Sequence, residues 1–276
     1  MIPTISQVCF LASPFEDDLA GIAHAGGAAV ELWLTKLEEY LAGHSLADVQ
    51  RLSAENEVRY AAAAFQGGIL LSQGDARREG WAQFQRRLEL CSALQVPVMV
   101  VVADFLGPFQ QTDIERAQVS LHQAGKQAAE CGVKIALEFQ AKNTFLNNLE
   151  TAVSFVQSVG QPNVGICLDL FHYYLGSSKF EDLAHLTKEN LFHVQVSDVA
   201  DRPRELAADA DRILPGDGDF QIAPIMQRLR DIGYEGCVSL ELLNPLFWQI
   251  PAKQVAEVGL TALRMSLGLT KGNGRG

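Results

Sequence analysis

The chain has 276 residues, long for a small domain but within the span of one α/β barrel, and its 48% hydrophobic content supports a large core and excludes a disordered polymer. Lys and Arg total 22 against 33 Asp and Glu, so the net charge of −11 opposes phosphate backbones and anionic lipid and sets nucleic acid and membranes aside as partners. Cys9, Cys91, Cys131, Cys167 and Cys237 are scattered and show no C-x-x-C spacing, which disfavours disulfides and a thiolate zinc site and fits a reducing cytoplasm.

Taken in chain order, Met1-Ile2-Pro3-Thr4 has no basic stretch leading into a long apolar one, so no secretory signal is expected. Val/Ile/Leu-rich runs predict strands at 5–12, 28–34, 58–65 and 96–103. The turn after the first is Ser13-Pro14-Phe15-Glu16, not the G-x-G-x-x-G of a dinucleotide-binding fold. Residues 76–95 space Trp81, Phe84, Leu88 and Cys91 at helical intervals. The 96–103 run is the longest apolar segment and falls far short of the ~20 residues of a membrane-spanning helix. A helix from Thr112 is expected to stop at Gly132. Further strands follow at 133–139, 164–170, 191–197 and 236–242, each with a helical stretch behind it. Right-handed βαβ units buried on both faces make an open doubly wound sheet or a closed barrel, and eight repeats in roughly 250 residues favour closure. The expected architecture is therefore α/β, a single-domain (β/α)8 TIM barrel over 1–270 with a flexible tail at 271–276.

Four strands of the second half share a register: Ile135-Ala136-Leu137-Glu138, Ile166-Cys167-Leu168-Asp169, Phe192-His193-Val194-Gln195 and Val238-Ser239-Leu240-Glu241. One acidic residue at a strand end is ordinarily solvated or caps the next helix. Four polar residues at one depth, on strands whose C-terminal ends form the mouth of a barrel, are better explained as a site. Three carboxylates brought together there need a cation to neutralise them. Two Glu, one Asp and an amide oxygen suit a hard divalent ion, Mg²⁺ or Mn²⁺, with Zn²⁺ and Co²⁺ also open.

These segments, with the Asn163-to-His172 stretch and Asp211-Arg212-Ile213-Leu214-Pro215-Gly216-Asp217-Gly218, resemble the xylose isomerase-like barrel superfamily of sugar isomerases and epimerases, and the inosose isomerase branch most of all. The resemblance implies that Glu, Asp, His and Glu hold a metal and that the two Glu move protons, which points to Glu138, Asp169 and Glu241 here, with Glu138 and Glu241 catalytic. The chain departs from that pattern at the third ligand, where the register puts Gln195. His193 faces the same way roughly 6 to 7 Å deeper, so Gln195 is preferred as ligand and His193 is read as an underlying core histidine. A Gln at this position is also similar to bacterial 3-dehydroshikimate dehydratases of the superfamily.

The family also implies substrate contacts for His172 and Arg212. The competing readings are a histidine packed among Phe171, Tyr173 and Tyr174, and an arginine paired with Asp209 or Asp211. Lys142 joins the substrate-facing candidates, although solvent exposure is the favoured reading. Phe247 and Trp248 are placed to wall the pocket, to pack beneath a loop or to make a subunit contact, and Asp198 to orient a ligand from behind.

The expected activity is a divalent-metal-dependent isomerisation or epimerisation of a small ketose or inosose, by proton transfer next to a carbonyl through an enediolate. The alternative is a dehydratase of the 3-dehydroshikimate or inosose type on the same scaffold. An endonuclease IV-like repair enzyme would need a His-rich centre and a basic groove, against which six scattered histidines and the acidic balance argue. A non-catalytic sugar-binding barrel stays open, as does a homo-oligomer.

Overall fold

The computed structural model describes residues 1–269, so the expected tail at 271–276 lies outside the described residues. Eight parallel strands close in sequence order into a barrel: β1 Ile2–Ser6, β2 Ala29–Trp33, β3 Arg59–Gln66, β4 Val98–Val102, β5 Lys134–Glu138, β6 Val164–Asp169, β7 Leu191–Val196 and β8 Cys237–Leu240. The expected single-domain (β/α)8 barrel is the observed one. The first strand differs from its predicted span of 5–12. It ends at Ser6, whose side chain accepts from the Val8 N–H and starts a 3-10 turn over Gln7–Phe10. That turn is wholly buried, and this is why its apolar sequence reads like more strand.

The helical layer is built from periodic apolar faces. In α4, Gly74–Ala93, the buried residues Phe84, Leu88 and Cys91 recur at the predicted spacing. Helix α5 is Gln111–Glu130, and Gly132 closes it at φ +71°, a conformation open to glycine without a Cβ penalty. Two helices, α2 Leu34–Leu41 and α3 Leu46–Asn56, follow β2, the second started by a reciprocal Ser45–Asp48 cap. With α1 Phe15–His24, α6 Leu149–Val159, α7 Leu170–Leu175, α8 Ile222–Asp231 and α9 Ala252–Ser266 they wrap the sheet. Among the described residues no helix is long and apolar enough to cross a membrane.

A second, smaller core lies within the sheet itself. Ala62, Ala64, Val98, Val100, Ala136 and Cys167 pack together without any helical residue. Their small side chains leave width inside the barrel for what sits above them. Glu138 and Asp169 stand two residues further along from Ala136 and Cys167, hence on the same face and nearer the mouth.

The ladder explains how the four-strand register works. Glu138 pairs with Cys167, Asp169 with Gln195, and Gln195 with Ser239. Residues of equal height therefore climb two positions from β5 to β6, none from β6 to β7 and two from β7 to β8. This is close to the stagger of about one residue per strand that a shear of 8 imposes on an eight-stranded barrel. Glu138, Asp169, Gln195 and Glu241 reach one level because the strands tilt.

Candidate active site

Asp169 is the last residue of β6 and also the cap of α7: its Oδ1 accepts from the Phe171 N–H at 2.8 Å. The helical turn it starts swings His172 back over the barrel, with Nε2 3.3 Å from Glu138 Oε1 and 3.6 Å from Asp169 Oδ2. Glu138, Asp169 and His172 are all buried, and each offers an atom within 4.8 Å of the others. The Ala141 N–H donates to His172 Nδ1 at 3.4 Å, which leaves the proton of the neutral ring on Nε2. Burial drives the His172 pKa down to about 4, with Arg212 pushing the same way and Asp169 opposing. At neutral pH His172 is thus an uncharged donor toward the carboxylates, a role suited to an oxygen of a bound substrate rather than to a metal.

Arg212 is the largest fully buried side chain among the described residues. Nη1 donates to Glu241 Oε2 and Nη2 to Asp169 Oδ2, both at 2.9 Å, and Cζ lies 4.0 Å above the Phe171 ring. The ion pair with Asp209 anticipated from sequence is present at 3.0 Å. It is the outermost of three carboxylate contacts to a guanidinium lodged between two acids from different strands.

Beneath them Gln195 bridges two more. Its Nε2 donates to Glu241 Oε1 at 3.0 Å and to Glu31 Oε1 at 3.1 Å, while its Oε1 accepts from the Cys167 thiol at 3.1 Å. In this orientation Gln195 shows Glu241 a donor, so supplying an oxygen to a metal requires the amide to turn over. His193 is buried and its Nε2 hydrogen-bonds Glu31 Oε2. Glu31 was not singled out from sequence, although a lone charge inside the apolar Ala29-Val30-Glu31-Leu32-Trp33 strand is a readable signal. Burial acts to raise the Glu31 pKa, but the His193 charge and the hydrogen bonds from His193, Ser6 and Gln195 outweigh it and hold the carboxylate below its ordinary value.

Glu138 and Glu241 lean the other way. Burial pushes both well above the usual carboxylate range; Asp169 adds to the rise at each, and Arg212 pulls against it. Two acids that favour the protonated form, beside a third, are a group a divalent cation would ionise and hold. The oxygens of Glu138 and Asp169 fit a hard ion on that ground; Glu241 lies outside the group that falls within 4.8 Å, and the Arg212 guanidinium bridges it to Asp169.

Above the acids lies a cavity of about 220 Å³, walled by Trp33, Phe65, Val102 and Leu243 on its apolar side and by Glu138, Gln140, His172, Asp209, Arg212 and Glu241 on its polar side. At ~30 Å³ per water this is room for about seven waters, the scale of a small metabolite. Lys142 is exposed and is not among the cavity-lining residues. Neither Phe247 nor Trp248 lines the cavity; the Trp248 indole donates to the Val8 carbonyl at 2.8 Å and straps the loop after β8 to the 3-10 turn after β1. Asp198 does not orient Gln195: its carboxylate is spent on the N–H groups of Val199, Gly216 and Phe220.

The profile of the xylose isomerase-like TIM barrel family matches residues 19–265. An inosose isomerase from Halalkalibacterium halodurans is 29% identical over 226 residues, covering 80% of this chain and 79% of that protein. A 3-dehydroshikimate dehydratase from Pseudomonas aeruginosa is 30% identical over 273 residues, covering 92% of this chain and 40% of that protein. The zinc-bound crystal structure of the IolI protein superposes with a TM-score of 0.91 at 26% identity, covering 99% of this chain and 100% of that one.

Proposed function

The chain is an enzyme of the xylose isomerase-like TIM barrel family, and on that premise we propose that it isomerises or epimerises a small uncharged polyol ketone, an inosose or a ketose, by moving a proton on the carbon next to the carbonyl. The observation that carries this reading is the pair Glu138 and Glu241, both lining the cavity and both held by burial above the usual carboxylate range. A carboxylate in such surroundings holds a proton more firmly than a solvated one, which suits it to take a proton from carbon and give it back. One of the two takes the proton from the substrate carbon, and the same residue or the other returns it to the neighbouring carbon or the opposite face. A divalent cation, Mg²⁺ or Mn²⁺ in the first instance, held by Glu138, Asp169 and Glu241 would polarise the substrate carbonyl and acidify the adjacent C–H.

The remaining residues position and exclude. The Nε2–H of His172 is available to a substrate oxygen, and Arg212 fixes Asp169 and Glu241 against each other. Trp33 and Phe65, with ring centroids 5.1 Å apart, offer an apolar wall to the C–H face of a ring. Arg212 is the single cation among the described cavity-lining residues, and three carboxylates already claim it. A carboxylate or phosphate on the substrate would enter without a free counter-charge, which favours a neutral polyol.

A second reading, a dehydratase acting on a ring such as 3-dehydroshikimate, rests on Gln195 and on the dehydratase relative. Both readings begin with the same proton abstraction, and their products separate them. Incubation with Mg²⁺ or Mn²⁺ in D₂O, against ketoses, inososes and dehydroshikimate, is expected to put deuterium next to a carbonyl with no loss of water. Loss of water, with new ultraviolet absorbance from a conjugated product, selects the dehydratase.

A further inference from the structure

Between β7 and α8 the chain makes its longest excursion over the mouth of the barrel, and this loop delivers Arg212. Asp198 sits at its root, fully buried. One carboxylate oxygen, Oδ1, accepts from the Val199 N–H at 2.9 Å and the Phe220 N–H at 3.0 Å; the other, Oδ2, accepts from the Gly216 N–H at 3.0 Å. Its own backbone exchanges two hydrogen bonds with Ile213, the residue after Arg212, at 3.0 and 2.9 Å. On the other flank the Asn244 amide donates to the Arg212 carbonyl at 2.9 Å. The Asp198 side chain thus ties the start of the excursion to its return at Gly216 and Phe220, and the Asp198 backbone holds the segment just past Arg212. Gly218 completes the enclosure, since a Cβ there would come within 2.2 Å of Asp198 Oδ1.

We propose that Asp198 is a positioning residue for Arg212: its carboxylate gathers the N–H groups of the loop and thereby sets where the guanidinium lands between Asp169 and Glu241. A long flexible side chain reaches two acids on different strands only if its own backbone is fixed, and a misplacement of about 1 Å in such an arrangement costs roughly 100-fold in rate. No contact of Asp198 with substrate or with Gln195 is involved. The proposal rests on Arg212 serving the cavity as described above, and its first readout does not use activity.

That readout is the Nε–H resonance of Arg212, which donates to Asp209 Oδ1 at 3.1 Å and is buried with the rest of the guanidinium, in the ¹⁵N-labelled full-length protein, identified by its absence in Arg212→Lys. In the wild type it is expected to be sharp and protected from solvent exchange. In Asp198→Asn, where an NH₂ group faces the loop N–H donors, protection of Arg212 is expected to fall at least tenfold while the amides of β5 keep theirs. Gly218→Ala sets a Cβ against the carboxylate and, at 2.6 Å, against the Val199 carbonyl, so that side chain and loop backbone both shift, and is expected to give the same result. Unchanged protection in a folded Asp198→Asn overturns the proposal. Should neither variant fold, exchange in the wild type decides: Gly216 and Phe220 amides opening in step with the Arg212 Nε–H support it, and fast amides beside a protected guanidinium contradict it. In a turnover assay, Asp198→Asn is expected to lower kcat/KM about 100-fold in the wild type and less than about threefold in Arg212→Lys. Equal losses in both backgrounds mean that Asp198 acts by another route.

Discussion

Replacing Arg212 with Met removes the buried cation while keeping an unbranched apolar stem over Phe171. The guanidinium is 1% exposed and holds Asp169 and Glu241 through contacts of 2.9 Å, so the change strands two carboxylates in the barrel mouth. Breaking a buried pair by deleting one partner costs about 3–5 kcal/mol. The contact to the half-exposed Asp209 adds little, because solvent screens it. Glu241 softens the loss by holding its proton more firmly, its carboxyl being raised already. A net cost of about 3 kcal/mol corresponds to a fall in Tm of about 10 °C at ~3 °C per kcal/mol for a chain of this size. The assay is thermal unfolding of both proteins at neutral pH, with and without excess Mn²⁺. Metal is expected to raise the Tm of Arg212→Met more than that of the wild type, since it replaces the missing positive charge. A fall of less than about 2 °C, or an equal response to Mn²⁺, would refute the view that Arg212 neutralises these acids.

Glu31→Gln removes the buried charge beside His193 and leaves one acceptor oxygen where His193 and Gln195 now use two, with an NH₂ set against the other donor, and is expected to cost about 3 kcal/mol in denaturant unfolding; the double variant Glu31→Gln/His193→Gln should recover part of it, visible as non-additivity in the cycle. His172 binds its proton only near pH 4 when folded but at its ordinary value of 6.5 when unfolded, so the unfolded chain holds the extra proton in between and falling pH favours unfolding. The stability of the wild type relative to His172→Gln is therefore expected to be greatest above about 6.5 and to shrink as pH drops toward 4, followed by urea titrations across that range. Phe65→Ala removes half of the apolar wall and is expected to raise KM for a ring substrate about tenfold, the equivalent of ~1.4 kcal/mol, with kcat within a factor of about three; a fall in kcat alone would assign Phe65 a different role.

The barrel was legible because its strands are buried on both faces and its helices amphipathic, signals that survive without any tertiary information. The shared depth of Glu138, Asp169, Gln195 and Glu241 was legible for a related reason: the motif repeats once per strand, and the tilt of a closed sheet converts that repeat into a ring. What the sequence hid was pairing. Glu31 lies more than 160 positions from His193, and only closure of the barrel brings β2 opposite β7. The orientation of the Gln195 amide was hidden likewise, because it is decided by a carboxylate from β2, a thiol from β6 and the carboxylate of the residue just past β8. Asp198 reads as a companion of Gln195 in one dimension, yet its partners lie 1, 18 and 22 residues further on, in a loop with no periodic pattern to betray its path. The first strand was overextended because a buried 3-10 turn and a strand have the same apolar composition.

The decisive measurement is the rate at which wild type, Glu138→Gln and Glu241→Gln wash solvent deuterium into an inosose or ketose in the presence of Mn²⁺, with substrate mass and absorbance followed alongside. Proton transfer by these two residues predicts incorporation next to the carbonyl by the wild type, no dehydration, and a loss of 10²- to 10⁴-fold, on the order of general acid–base catalysis, in at least one variant. Wild-type rates of exchange in both variants would contradict it.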